Sequence, residues 1–189
     1  GDTPVVHTIS AGALPTGVTI NSDGTLTGTV GGSQAGSNFT FTVQATAASQ
    51  STTRQFVLTV APLPQGGTVT TDGNNRIHSF TSSGTFTTGF NSAVELLVVG
   101  GGAGGAGAFA GGGGGGGIVN DPSGATMASA SSPYTITVGT GGQGGLGWQN
   151  INGMRGNNGG DSVAFGLTAK GGGGGGAFDY TYGPGANAN

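Results

Sequence analysis

Residues 111–117 are seven consecutive glycines, and that run constrains the fold more than any other feature of the chain. Glycine in a helix interior costs roughly 1 kcal/mol relative to alanine. A helix through the run would forfeit about 7 kcal/mol, on the order of the whole stability of a small domain. Two options remain. The run is a flexible tether, or it is an extended left-handed helix of the polyproline-II type, with about three residues per turn and about 3.1 Å of rise. Alone, such a helix leaves every backbone N–H and C=O unpaired. Several packed side by side can bond laterally, and only glycine permits that approach. Weak Cα–H···O contacts add to it. Ordering glycine carries a large entropy cost, so the second option needs several tracts anchored by other structure.

The sequence offers both. Glycine supplies 46 of 189 residues, 33 of them after residue 99, so the composition breaks near residue 100. The tracts at 100–117, 139–147 and 171–176 contain no serine, unlike Gly/Ser linkers. They alternate with strand-like sequence. RIHSFTSSGTFTTG (76–89) sets Ile77, Phe80 and Phe86 around an SSG turn, and AVELLVV (93–99) is apolar enough for a buried strand. SPYTITVG (132–139) alternates Tyr134, Ile136 and Val138, and DSVAFGLTA (161–169) can supply one strand or two. The expectation is a set of ordered rods, a seven-residue one spanning roughly 20 Å.

The first third is strand-like throughout. FTFTVQAT (39–46) places Phe39, Phe41, Val43 and Ala45 on one face, and RQFVLTV (54–60) does the same with Phe56, Leu58 and Val60. NSDG (21–24) is a turn signal between VTI and TLTGTV. APLPQGG (61–67) is a linker or sharp bend, since two prolines and two glycines cannot extend a central strand.

ELLVVGGGAGGAG (95–107) contains Gly102, Gly104 and Gly107 in the G-x-G-x-x-G spacing of a dinucleotide site. That motif must open a helix whose N-terminus faces the pyrophosphate. Here Ala108, Phe109 and Ala110 lead straight into the glycine run, and the acidic residue at the right distance, Asp121, sits in a DPSG turn. No Gly-Lys-Ser/Thr occurs, which removes a phosphate-binding loop. No cofactor is expected.

Charge narrows the partners. Charged residues are 6% of the chain, and Arg54, Arg76, Arg155 and Lys170 are scattered. A nucleic-acid backbone or an anionic membrane surface needs clustered cations, so neither is expected. No apolar run approaches the twenty or so residues of a membrane span. Cysteine is absent, so disulfides and zinc–thiolate sites are excluded. Residue 1 is Gly rather than Met, and the chain reads as a piece of something longer.

Two resemblances extend this reading. ALPTGVTINSDGTLTG (13–28), FTFTVQAT and RQFVLTV resemble, in order, the immunoglobulin-like domains of bacterial and phage surface proteins, with a first strand missing or altered. IHSFTSSGTFTTG, VELLVVGGGAGGAG, YTITVGTGGQGG and NGGDSVAFGLTAKGGGGGG, spanning 67–176, resemble the glycine-rich domain of bacteriophage tail and virion proteins, whose first element is a hairpin across the SSG turn. The extracellular glycine-rich region of anaplastic lymphoma kinase receptors is similar in character. The resemblance implies an all-β chain: an immunoglobulin-like sandwich at 1–61, a linker at 62–66, and at 67–189 a β-sandwich carrying packed polyglycine-II helices. It also implies a non-enzymatic virion surface protein (fibre, tail tip or capsid decoration) that displays a contact for the host surface. Expected partners are other virion proteins, further copies of the chain (a trimer by analogy with fibres), and a host glycan or protein. A bacterial extracellular adhesin or matrix filament subunit is the alternative.

Candidate contact residues follow from composition. Trp148, Asn150, Asn152 and Arg155 lie in WQNINGMRGNN, and Tyr180 and Tyr182 lie in the C-terminal AFDYTYGPGANAN. Exposed aromatics beside Asn and Arg suit a carbohydrate- or protein-binding tip; the competing reading is that Trp148 caps the glycine bundle. His7 and His78 are the two histidines, and His78 is expected to face solvent from an alternating strand. Asp72 and Asp121 are read as turn residues and Glu95 as an edge-strand position, so neither a catalytic group nor a metal site is expected.

Overall fold

The computed structural model describes residues 3–107, 111–130, 132–146 and 155–177. The chain divides into two compact units, Gly1–Leu63 and Pro64–Asn189, a division that falls inside the APLPQGG segment. Both units are all-β, as the alternating sequences require.

In the first unit, β1 (Val6–Gly12) precedes the short hairpin of β2 (Val18–Ile20) and β3 (Leu26–Gly28). The long antiparallel pair β4 (Asn38–Ala47) and β5 (Gln50–Thr59) follows, and the sheet order is β1-β4-β5. Pro15 is fully buried where the chain enters β2, and the NSDG turn closes with Asn21 N–H donating to the Thr25 carbonyl at 2.8 Å. Phe41 is the buried anchor, stacked on Phe56 at 5.9 Å between centroids. Ala48 and Ser49 make the β4–β5 turn with both φ angles positive, the geometry that twists a two-residue hairpin correctly. This architecture is consistent with an immunoglobulin-like sandwich.

The second unit combines several small sheets. β6 (Thr68–Asp72) and β7 (Asn75–Ser79) form a hairpin. β8 (Gly84–Phe86) is followed by β9 (Ser92–Val99) and β10 (Ile118–Ala128), which pair with each other. β11 (Tyr134–Ile136) pairs back on β8, and β12 (Ser162–Ala164) and β13 (Leu167–Ala169) make a final hairpin through Phe165 and Gly166, both at positive φ. Phe86, Val98, Ala128, Ile136, Ala164 and Ala169 form one core, with Phe80, Val94, Val119, Tyr134 and Phe165 packed against it. Phe165 stacks on Tyr134 at 4.3 Å, which ties the strained turn to that core.

Four expectations need correction. The SSG turn does not join a hairpin: β7 pairs with β6, and β8 pairs with β11. β9 is not buried on both faces, because Leu97 and Val99 are 68% and 51% exposed while Val98 and the half-buried Val94 face the core. β10 was not visible as a strand, since Pro122 and Gly124 interrupt its pattern; they occupy an irregularity between Asp121 and Thr126 that leaves both ends in register with β9. His78 is not solvent-facing, as its surroundings below show.

The glycine tracts run out from the ends of these strands. Tract 1 (100–107) continues β9, tract 2 (111–117) leads into β10, tract 3 (139–146) continues from β11, tract 4 (156–160) leads into β12, and tract 5 (170–176) continues β13. They bond to one another at every third residue. The N–H groups of Gly100, Ala103 and Ala106 donate to the carbonyls of Gly117, Gly114 and Gly111. Those of Gly101 and Gly104 donate to Gly160 and Asn157. Gly142 and Gly145 donate to Gly102 and Gly105, and Gly172 and Gly175 donate to Gly101 and Gly104. Tract 1 is thus bonded to all four others. Tract 5 also bonds tracts 2 and 4, and tract 4 also bonds tract 3. The connectivity defines two rows, 2–1–3 and 5–4, with tract 1 at the hub. Gly100, Gly104, Gly172 and Gly175 are buried, so this part of the interior is backbone.

Candidate functional site

The described residues at the end of the tracts remote from the sheets are Gly107, Gly111, Leu146, Arg155 and Gly176. Ala106 N–H donates to Gly111, Gly111 N–H to Gly176, Gly145 N–H to Gly105 and Gly156 N–H to Gly175, which draws these termini together. The described residues that flank 108–110 and 147–154, and the last described residues before 178, therefore lie at one end of the bundle. Arg155 is exposed there, and Leu146 is 73% exposed beside it in the register. Trp148, Asn150, Asn152, Tyr180 and Tyr182 lie outside the described residues.

The histidines are occupied structurally. His78 Nδ1 lies 2.7 Å from the Gly66 carbonyl, which can only accept, so Nδ1 carries the proton. Its ring meets Phe86 edge-on at 5.0 Å, and Nε2 is buried without a partner. His7 Nδ1 reaches the Ser22 carbonyl at 3.1 Å rather than a hydroxyl. The nearby Asp23 carboxylate is taken by the Thr25 hydroxyl and N–H, at 2.7 and 2.9 Å, and those bonds hold its pKa below the ordinary aspartate value. Asp121 is held low in the same way by the hydroxyls of Ser123 and Thr126. These carboxylates fasten their own turns. Among the described residues no three His, Asp or Glu side chains converge as metal ligands. A cleft of about 210 Å³ is lined by residues of 67–85, including Ser79, Phe80, Ser82 and Thr85, with no titratable side chain in it. No helix among the described residues is long and apolar enough to cross a membrane.

Sequence reasoning missed one polar cluster. Asp161 Oδ1 accepts the Gly171 N–H at 2.9 Å, and its Oδ2 accepts Lys170 Nζ at 2.7 Å. Lys170 first, and the Gly171 N–H second, lower the Asp161 pKa. Asn158 Oδ1 accepts the Gly174 N–H at 2.7 Å. Two side chains three residues apart, Asn158 on tract 4 and Asp161 just after it, thus satisfy two N–H groups three residues apart on tract 5. The N-x-x-D spacing at 158–161, matched to the three-residue repeat of the tract bonds, was the available signal.

No curated protein and no solved structure matches this chain significantly. Residues 2–61 match the family model described as "Putative Ig domain", the span of the first unit's strands. Residues 79–189 match the model described as "Glycine-rich domain"; that is more than half of the chain, and the protein belongs to this glycine-rich family.

Proposed function

We propose that this chain is a non-enzymatic surface module of a bacteriophage virion, in which residues 1–61 act as a spacer and residues 67–189 display a contact for the host surface. The glycine tracts serve as polyglycine-II-like rods, rigid because they bond laterally. The observation that carries the reading is the repeat of three in those bonds: N–H groups of Gly100, Ala103 and Ala106 to one neighbour, and of Gly101 and Gly104 to another. A threefold extended helix generates that pattern. Rods of this kind hold loops in place at one end, and loops on rigid scaffolds are where recognition residues concentrate. On this reading Trp148, Asn150, Asn152, Arg155, Tyr180 and Tyr182 contact a glycan or protein of the host. The chain works as a homo-oligomer beside other virion proteins.

The test is physical association. The protein should copurify with phage particles at a fixed copy number, and Trp148→Ala with Arg155→Ala should slow adsorption to cells while particle assembly is unchanged. Recovery of the protein from filaments of uninfected bacteria, and not from particles, would replace this reading with that of a cellular adhesin.

A further inference from the structure

Tract 1 sits at the hub of the bundle, yet some of its backbone groups have no hydrogen-bond partner among the described residues. Its N–H groups fall into three columns. Gly100, Ala103 and Ala106 serve tract 2, and Gly101 and Gly104 serve tract 4. The third column, Gly102 and Gly105, donates to nothing among the described residues. The carbonyls divide likewise: Gly101 and Gly104 accept from tract 5, Gly102 and Gly105 accept from tract 3, and Gly100, Ala103 and Ala106 accept nothing among the described residues; Gly100 is buried, and Ala103 and Ala106 are half-buried. The bonded columns face tracts 2, 5, 4 and 3, so the open ones lie on the side of the 2–1–3 row turned away from tracts 5 and 4. Tracts 2 and 3 continue the surface, since the N–H groups of Gly113, Gly116, Gly141 and Gly144 also have no acceptor among the described residues. Gly102 is exposed, and a Cβ built on it meets no atom.

The same side stays open where the tracts enter the sheets. The inner face of β9–β10 packs against β12–β13, which carry tracts 4 and 5. On its other face Leu97, Val99 and Ile118 are exposed by 68%, 51% and 67%. An apolar strip and a lattice of free backbone donors and acceptors therefore form one continuous surface.

We propose that this surface pairs with the same surface of a second copy of the chain. Its occupant is specified by its own chemistry. The face carries unpaired N–H and C=O columns together, at the three-residue spacing of a glycine tract, so a copy turned about a two-fold axis offers acceptors to donors and donors to acceptors. Only a backbone free of side chains can approach closely enough to make those bonds. Exposed Leu97, Val99 and Ile118 supply burial that isolated backbone bonds do not. The proposal rests on the tracts being ordered rods, and it adds which side of them is sticky.

Sedimentation equilibrium of the whole chain, read beside amide exchange, tests it. The wild type should associate with increasing concentration to twice its 17.9 kDa mass. Gly102→Leu and Leu97→Glu should each weaken association by roughly tenfold or more, and the protection of 111–117 and 171–176 should persist in both. Gly102→Leu is chosen because its side chain enters open space within the monomer. A protected but monomeric wild type overturns the pairing alone. So does a dimer indifferent to both substitutions. Unprotected tracts in the wild type overturn the rods themselves.

Discussion

In the sheets of the second unit, Phe86, Val98, Ile136 and Ala169 turn side chains into a shared interior; in the tracts beside them, Gly100, Gly104, Gly172 and Gly175 are buried with no side chain to turn. The two regions share a layer, since β9 runs into tract 1 and tract 2 into β10. Yet the source of order differs. In the sheets, apolar atoms removed from water supply the free energy, and backbone bonds come with them. In the tracts the backbone bonds are themselves the interior, and the absence of Cβ atoms allows them. The rules for substitution should therefore invert between sheet and tract: losing atoms harms the sheets, and gaining atoms harms the tracts.

The largest effect is expected on the sheet side. Phe86 is 6% exposed and touches His78 at 5.0 Å and Phe165 at 5.7 Å between ring centroids. Phe86→Ala should cost about 3–5 kcal/mol, since the surrounding strands cannot close the cavity. Denaturant unfolding followed at the second unit checks it, and a cost near zero would mean that the aromatic cluster is not the core.

On the tract side the sharpest test is Gly104→Ala. A Cβ there would overlap the Gln143 carbonyl, so the tracts must separate. The expected loss is about 1–3 kcal/mol, the usual cost of overpacking. The sign matters more than the size. A helical or disordered tract would tolerate alanine or gain from it, by about 1 kcal/mol in a helix. A melting temperature that rises would therefore refute the packed-backbone interior.

The same inversion explains what could be read from the sequence. Alternation in FTFTVQAT, RQFVLTV and SPYTITVG marks strands because side chains report which way they point. The run 111–117 reports nothing of that kind, and its order had to be argued from cost. A weaker signal was present where tracts keep side chains: Thr140, Gln143 and Leu146 recur every third residue, all exposed, as do Ala103 and Ala106. β10 was illegible because Pro122 and Gly124 signal a turn, and only the register with β9 shows the strand resuming at Thr126. The exposure of Leu97 and Val99 was illegible too, because a continuous apolar run looks the same whether one face or both are covered. The pairing of β8 with β11 joins residues some fifty positions apart, which local pattern cannot supply. The candidate contact residues, apart from Arg155, lie outside the described residues, and for them the sequence remains the argument.

A smaller effect separates tract N–H groups held by side chains from those held by backbone. Asp161 holds Gly171 and Lys170, and these bonds keep its pKa below the ordinary aspartate value. A carboxylate whose pKa is depressed by folding stabilises the fold above its unfolded-state pKa, and that contribution is lost as pH falls through the lower, folded value. Thermal melts from neutral pH into that acid range should show the wild type losing more stability than Asp161→Asn. The Asn amide oxygen can still accept from Gly171 but does not titrate. Equal slopes would mean that the cluster does not tie tract 4 to tract 5.

The smallest predicted change comes from moving one residue along tract 5. Gly172 and Gly173 are adjacent and chemically identical, but a Cβ at Gly172 would overlap the Gly114 carbonyl, whereas one at Gly173 meets nothing. Gly173 has no positive φ that a side chain would strain. Gly173→Ala should thus be neutral or stabilising, by about 0.4–1 kcal/mol, because alanine narrows the unfolded ensemble and leaves the packed state untouched. Gly172→Ala should destabilise like Gly104→Ala. A random tether would treat the two positions alike. A laterally packed tract with specific sides occupied makes alanine harmful at one position and harmless at the next. Equal melting shifts for the two variants would therefore count against the lateral lattice, even if every strand of the sheets proved correct.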